Sequence, residues 1–213
     1  MEAEARTVTS FPAEAAQKRD EGAKMLARHL DGDTRAFPEL VDRFGGQLYG
    51  YLRRSGMSPH TADDLFQETF LRVHRSARRY NPDNPFQAWL FTIAHNLVRS
   101  HYRKKRVRRV MVGWWRRPSE PGAEPEPLDP PDPSPDTEQR VAERERIEWL
   151  RRELERLPDG PRRALILTRV EGLSQQDAAR ILEVPVPTLK TWLRRGRLAL
   201  AEALQKQEMG ERR

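Results

Sequence analysis

Apolar residues recur every three or four positions along two separate parts of the chain, and this spacing predicts amphipathic α-helices. In the first part the spacing covers three core segments, within residues 37–52, 65–73 and 89–97. Breaks rich in glycine, proline and asparagine separate these segments at residues 55–59 and 80–85. No stretch of the sequence alternates convincingly between apolar and polar residues. The pattern therefore predicts an all-α fold.

The second part of the chain shows the spacing of a helix-turn-helix motif. One apolar helix is expected to end at Gly172, and Ser174 can then cap a short helix that reaches Leu182. Residues 183–186 interrupt the pattern before Pro187, which is tolerated at the first position of a new helix. Two helices joined by so short a turn are typical of a helix-turn-helix.

Residues 118–137 separate the two helical parts and hold eight of the 17 prolines, together with six acidic residues and no Lys or Arg. This proline density excludes a regular helix or strand and favours an extended, polyproline-like linker. The sequence thus predicts two small helical domains joined by a Pro/acid-rich linker. The predicted boundaries are a disordered tail at 1–21, a first domain at 22–115, the linker at 116–137, a second domain at 138–206 and a tail at 207–213.

Composition removes several classes of protein. The 213 residues include no Cys, which excludes disulfide frameworks, thiolate metal sites and Cys nucleophiles. The five histidines lack metal-ligand spacing, and no phosphate-binding loop or nucleophile motif occurs, so we expect neither an enzyme nor a cofactor. No signal peptide and no apolar segment of membrane-spanning length is present in the sequence, so we expect a cytoplasmic protein.

The formal net charge is +7, and basic residues concentrate in two places. Residues 99–117 hold nine Lys or Arg and no acid. The second helix of the helix-turn-helix has an apolar stripe and, on its other sides, Thr188, Lys190, Thr191, Arg194, Arg195 and Arg197. Such surfaces attract a polyanion, and we interpret the last helix as a reader of the DNA major groove. A plain helical hairpin with a solvated basic face, and a solubilising run at 99–117, are the alternatives.

Four segments resemble, in the right order, the extracytoplasmic-function sigma factors of bacterial RNA polymerase. They are residues 31–37, 62–72, 86–97 and 184–197. The resemblance implies a promoter-specificity subunit without chemistry of its own, with a sigma region 2-like bundle and a region 4-like helix-turn-helix. It implies three partners, which are core RNA polymerase through its clamp and flap regions, promoter DNA and a cognate anti-sigma factor. It implies neither membrane insertion nor a small-molecule substrate, and it places the protein at the nucleoid.

The segment 62–72 is similar to the helix that docks on the polymerase clamp. Its expected contact residues lie at three- and four-residue spacing, so that they share one helical face; they are Asp64, Gln67, Glu68 and Arg72. The alternative is that acids near a helix start merely favour its dipole. That alternative accounts for Asp63 and Asp64 but not for Gln67 or Arg72.

The loop at 79–85 resembles the one that captures a base flipped out of the melted minus-ten strand, and the helix after it resembles the minus-ten reader. The residues expected at this element are Arg79, Tyr80, Asn81, Phe86, Trp89, Asn96, Arg99, Arg103, Lys104 and Arg106. Trp89 could instead belong to the core. The last helix is similar to the minus-thirty-five reader, which adds Trp192 to the six polar and basic residues named above.

Some positions depart from the family's usual pattern. Glu183 and Pro187 stand where glycine is usual, and Trp192 stands where a basic residue is usual, so Trp192 could pack on thymine methyls or on sugar. The pair at 114–115, both tryptophan, has no explanation. The rival function is a stand-alone helix-turn-helix regulator that binds operator DNA by itself. It would leave the polar face at 62–72 and the loop at 79–85 without a role.

Overall fold

The computed structural model describes the backbone of residues 12–113 and 138–211, and the side chains of residues 21–105 and 145–207. The described residues form helices and contain no strand, which confirms the all-α prediction. The helices are α1 (Pro12–Leu30), α2 (Ala36–Arg54), α3 (Pro59–Ser76), α4 (Phe86–Gly113), α5 (Glu138–Arg156), α6 (Asp159–Leu165), α7 (Gln175–Ile181) and α8 (Val186–Glu211). A 3-10 turn, Ala77–Arg79, follows α3, and a π-helical turn, Ile166–Val170, follows α6.

Helices α1 to α4 pack into the first domain around an apolar core. Leu40, Phe44, Leu48 and Leu90 are fully buried in it. Burial of this apolar surface is the main stabilising contribution to the domain. Pro38 lies in the first turn of α2, where its missing N–H costs no intrahelical hydrogen bond.

Helix α1 corrects the expectation of a disordered tail at 1–21. The helix begins at Pro12, a favoured residue at a first helical position, and its Leu26 is buried in the core. Large apolar residues are too few in α1 to show the three- and four-residue spacing, because many of its apolar positions are alanine. Residues 1–11 lie outside the described residues.

Helices α5 to α8 form the second domain, which contains the predicted helix-turn-helix. Ser174 caps α7 as expected, since its Oγ accepts from the Asp177 N–H at 3.1 Å. Helix α8 continues to Glu211, so the expectation of a separate tail from 207 is wrong up to that residue. The linker at 116–137 and the tryptophan pair at 114–115 lie outside the described residues.

The two domains touch, and their apolar cores form one continuous cluster. The contact runs mainly between α4 of the first domain and α7 of the second. None of the described helices has the length and apolarity needed to cross a membrane.

Candidate nucleic-acid and protein interfaces

The polar residues expected to form a protein contact lie together on α3. Asp64, Gln67 and Arg72 are exposed, and Glu68 is half-buried. The Arg72 Nε donates to Glu68 Oε1 at 2.7 Å, which is an i,i+4 ion pair. The helix thus presents a carboxylate, an amide and an ion pair to solvent within about two turns.

An exposed leucine lies among these polar residues. Leu71 is 48% exposed and stands one turn after Gln67 and two turns after Asp64. Sequence reasoning missed it, although the seven-residue spacing from Asp64 places both on one side of the helix. We call Asp64, Gln67, Glu68, Leu71 and Arg72 the α3 face. An apolar group surrounded by polar ones is typical of a protein–protein interface.

Residues 81–85, before α4, form a loop that is shaped by its own hydrogen bonds. The Asn81 Oδ1 accepts from the Asp83 N–H at 3.0 Å, and the Asn81 carbonyl accepts from the Asn84 N–H at 3.1 Å. The Tyr80 hydroxyl donates to the Asn84 carbonyl oxygen at 2.6 Å. These bonds preorganise the loop without help from a ligand.

Three aromatic residues support this loop. The Tyr80 and Trp89 ring centroids lie 4.9 Å apart, and the Phe86 ring lies 5.9 Å from Trp89 and 5.0 Å from Phe44. Phe86 has no exposed surface, so the expectation that it contacts DNA is wrong. Phe86 belongs to the core, and its ring packs against Tyr80 and Trp89 beneath the loop. Tyr80 and Trp89 are half-buried and so keep part of their surface accessible.

A cleft of about 340 Å³ opens beside the loop. Arg79, Tyr80 and Asn81, the three residues expected in this region, all line it, together with Trp89. The second domain supplies the opposite wall, formed by Asp177, Arg180 and Ile181. The cleft combines aromatic surface with amide and guanidinium groups, which is the chemistry that binds a planar polar ring.

Helix α4 carries polar and basic side chains on its exposed side. Asn96, Arg99 and Arg103 follow one another at three- and four-residue spacing and are exposed, as is Lys104. We call these four residues the basic face of α4. The side chain of Arg106 lies outside the described side chains. The basic face of α4 lies on the helix that begins directly after the loop.

The buried part of α4 holds a polar pair next to this face. The Tyr51 hydroxyl lies 3.1 Å from His95 Nδ1, and neither residue has more than 4% of its surface exposed. Burial lowers the pKa of His95 to about 4, with the positive charges of Arg163 and Arg99 acting in the same direction. Burial also raises the pKa of Tyr51. The imidazole is therefore neutral at physiological pH and can accept the phenol hydrogen.

Acid is expected to destabilise the protein through His95. An unfolded histidine titrates near pH 6.5, so the unfolded state binds a proton that the folded state binds only near pH 4. The free energy of unfolding should fall by about 3 kcal/mol between these pH values relative to His95→Gln, a variant that keeps a polar partner for Tyr51. Urea titrations at a series of pH values measure this difference. Parallel pH profiles of the two proteins would contradict it.

The first turns of α8 have a basic exposed side. Leu189 and Leu193 are buried against the domain. The expected DNA-contacting residues that are exposed are Lys190, Thr191, Arg194, Arg195 and Arg197, and Thr188 is half-buried. The helix therefore has the two-sided character that insertion into a major groove requires.

Trp192 has a different environment. It is half-buried, and a Cβ built on Gly160 would come within 2.7 Å of the indole ring. The ring thus lies directly against the backbone of α6, where only glycine leaves it room. Part of the Trp192 side chain thus packs against α6, whereas the nearby Thr191 and Arg195 are exposed.

The turn between α7 and α8 is strained at Glu183. The Val184 N–H donates to the Ala179 carbonyl at 3.0 Å and the Glu183 N–H to the Arg180 carbonyl at 3.2 Å, which is a Schellman motif. This motif requires a left-handed residue, and Glu183 has a φ of 55°. Among the described residues no other non-glycine residue has a positive φ. This conformation costs a residue with a Cβ about 1–2 kcal/mol.

A groove of about 440 Å³ lies between α5 and the later turns of α8. Trp149, Ala199 and Ala203 give it an apolar floor, and charged residues such as Glu153 and Lys206 border it. An apolar surface of this kind, rimmed by charges, is typical of a protein-binding site.

These features describe a two-domain helical protein with an exposed polar and apolar face on α3 and exposed basic sides on α4 and α8. Models of known protein families match both domains. Residues 40–108 match the family described as Sigma-70 region 2, and residues 147–200 match Sigma-70, region 4. The first match covers α3 and the basic face of α4, and the second covers the helix-turn-helix.

Whole proteins of this kind are also similar. The RNA polymerase sigma factor CnrH of Cupriavidus metallidurans is 33% identical over 84% of this chain and 92% of its own length. The ECF RNA polymerase sigma factor SigM of Mycobacterium tuberculosis is 31% identical over 85% of this chain and 84% of its own length. A solved structure of CnrH, in complex with the cytosolic domain of CnrY, matches with a TM-score of 0.62 and 28% identity over 88% of this chain and 99% of that one.

The chain belongs to the extracytoplasmic-function sigma factors of RNA polymerase. It is a promoter-specificity subunit, and the function of a stand-alone regulator is not favoured.

Proposed function

We propose that the α3 face binds core RNA polymerase, that the cleft and the basic face of α4 bind and hold open the minus-ten element, and that α8 reads the minus-thirty-five element. The observation that carries this proposal is the presence of an exposed mixed face on α3 in addition to two separate cationic helices. A regulator that binds operator DNA needs α8 but gains nothing from the other two surfaces. The polymerase catalyses RNA synthesis. This chain positions the polymerase at the promoter and holds the separated DNA strand.

At the minus-ten element, the proposed mechanism captures an unpaired base. A base that leaves the duplex loses stacking worth a few kcal/mol. Stacking on the ring of Tyr80 or Trp89 returns about 1–3 kcal/mol, and the Asn81 amide can bond to the base edge. Arg99 and Arg103 then neutralise the phosphates of the same strand. Because loop 81–85 is already shaped, little ordering entropy is lost when the base binds.

At the minus-thirty-five element, α8 enters the major groove with its exposed side. Thr191 and Arg195 stand one turn apart, so they can reach neighbouring base edges, while Arg194 and Arg197 reach phosphates on the flanks. Trp192 contributes by fixing α8 on α6 through its contact with Gly160.

A second polymerase contact is proposed for the groove between α5 and α8, which suits an apolar helix of the flap region. Trp149, Ala199 and Ala203 supply the apolar surface that such a helix would cover. Two contacts on different domains raise the affinity for the polymerase beyond that of either contact alone.

A regulatory partner is also part of the proposal. CnrH was solved in complex with the cytosolic domain of CnrY, and other relatives were solved with anti-sigma factors. The fold that this chain shares with CnrH, together with its own groove between α5 and α8, supports a cognate anti-sigma factor for this chain. The protein would act in the cytoplasm, at the nucleoid, without catalytic activity.

We expect Lys190→Gln plus Arg195→Gln to remove promoter selection by the reconstituted holoenzyme. Lys190 is expected to contact phosphate and Arg195 a base edge. Each phosphate contact contributes about 0.9 to the slope of log K against log salt, so the slope for duplex binding should become shallower by about 1. Sequencing of genomic fragments retained by the holoenzyme measures the selection, and titration at several salt concentrations measures the slope.

The matched control is Arg146→Gln plus Arg152→Gln, which removes the same charge from exposed positions on α5. It should retain the wild-type fragments. If the α8 variant also retains those fragments and its salt slope is unchanged, the assignment of α8 to the minus-thirty-five element is refuted.

A further inference from the structure

Helix α1 lies against the aromatic ring that supports loop 81–85. Gly22 of α1 is buried, and a Cβ built on it would come within 2.3 Å of Phe86 Cδ1 and 2.9 Å of Phe86 Cβ. Carbon atoms in contact normally lie about 3.5–4.0 Å apart. Only glycine at position 22 therefore leaves room for the Phe86 ring in the position that it has.

The composition of α1 gives no local reason for a glycine at this position. The helix contains five alanines, and glycine is less favourable than alanine in the interior of a helix. A glycine that interrupts such a helix usually has a packing or functional reason. The close approach of Phe86 supplies that reason for Gly22.

Contacts on both sides of Gly22 hold α1 in place. In the residue before it, the Glu21 Oε2 accepts from the Arg43 Nε of α2 at 2.9 Å. One turn after it, the Leu26 side chain is buried in the core of the first domain. Because α1 is fixed in this way, a larger side chain at position 22 would displace the Phe86 ring.

The other neighbours of Phe86 decide where this displacement goes. The Phe44 ring centroid lies 5.0 Å away, and Phe44 is itself buried in the core, so it has no free space to move into. The Tyr80 and Trp89 centroids lie 6.0 and 5.9 Å away, and both residues are half-buried, so they can move toward solvent. Tyr80 also holds Asn84 through its hydroxyl. Displacement of Phe86 is therefore expected to shift the aromatic wall of the cleft and the loop together.

We propose that Gly22 is a positioning residue for base capture, and that α1 sets the shape of loop 81–85 and its cleft from behind. This inference rests on the proposed role of the loop and the cleft. Gly22 acts through Phe86, and the DNA strand contacts neither residue. The match to Sigma-70 region 2 begins only at residue 40, so it assigns no role to α1.

Capture of a base by the holoenzyme tests this proposal. Random-sequence single-stranded oligonucleotides are selected that core polymerase retains with this protein but not without it. One enriched strand is then synthesised with each base in turn replaced by an abasic site. The ratio of the affinities for the intact and the abasic strand measures what the captured base contributes. A variant that only folds to a smaller extent leaves this ratio unchanged, because both affinities are measured with the same holoenzyme.

In the wild type, removal of the captured base should weaken binding about fivefold or more, as expected for the loss of stacking on an aromatic ring. Gly22→Ala should lower this ratio at least about twofold, because the added methyl group overpacks the site. Adding Phe86→Leu makes room for that methyl group and should raise the ratio again. The matched control is Gly46→Ala on α2, the same substitution at an exposed position with open space around its Cβ. It should keep the wild-type ratio.

A wild-type ratio in Gly22→Ala would overturn the proposal. An equal fall in Gly46→Ala would do the same, and so would a double variant whose ratio is no higher than that of Gly22→Ala. Should Gly22→Ala fail to fold, recovery of folding and of the ratio on adding Phe86→Leu supports the proposal, and no recovery overturns it. If no abasic position weakens binding by the wild-type holoenzyme, the proposed capture of a base fails as well, which separates that failure from one confined to Gly22.

Discussion

Replacing Gln67 and Glu68 together with alanine is expected to abolish initiation by core polymerase supplied with this protein. Both side chains belong to the α3 face, and Glu68 also holds Arg72 in place. Central residues of a protein interface cost about 2 kcal/mol or more each when truncated, so the double change should weaken core binding by at least about 100-fold. Run-off transcription measures initiation, and a fluorescence titration with core polymerase measures the affinity.

The control for this prediction is Gln175→Ala plus Glu148→Ala, which removes one amide and one carboxylate from exposed positions of the second domain. It should leave core binding intact. The two variants should unfold at the same urea concentration as the wild type, because surface substitutions rarely change stability by more than about 0.5 kcal/mol. Wild-type initiation by the α3 variant would show that this face is not the polymerase contact.

Replacing Phe86 with alanine is expected to destabilise the first domain by about 3–5 kcal/mol. The ring has no exposed surface and packs 5.0 Å from Phe44 and 6.0 Å from Tyr80, so its loss leaves a cavity under the loop. Urea unfolding followed by tryptophan fluorescence and by circular dichroism measures the loss. The loop should also lose its shape, because Tyr80 holds Asn84 through its hydroxyl.

The control for Phe86 is Leu30→Ala at the end of α1, a change at a 44%-exposed side chain that should cost far less. Two outcomes distinguish a core role of Phe86 from a direct contact with DNA. Lower stability, with DNA binding restored when the variant is refolded in a stabilising osmolyte, is expected for a core residue. Unchanged stability with lost DNA binding would mean that Phe86 contacts DNA, as sequence reasoning suggested.

The local signals in the sequence predicted much of the fold. The Ser174 cap, the turn before Pro187 and the apolar spacing of α2 to α4 all depend on residues close together in the chain. The exposed basic side of α8 followed from the same periodicity. These features are local, so one sequence is enough to find them.

The errors concern properties that depend on distant residues. Phe86 is an aromatic residue beside a basic stripe, and only its packing against Phe44 shows that it faces inward. The domain contact is equally invisible to local patterns, since Arg54 and its ion-pair partner Glu171 are 117 positions apart. Helix α1 was missed because it depends on a few core contacts more than on a strong apolar stripe.

The most direct test of the central claim is the mapping of transcription start sites on whole genomic DNA, using core polymerase with and without this protein. The account predicts a set of starts that depends on the protein, whose upstream DNA shares two sequence elements at a constant separation. The same starts with core polymerase alone, or added starts without shared upstream elements, would contradict it.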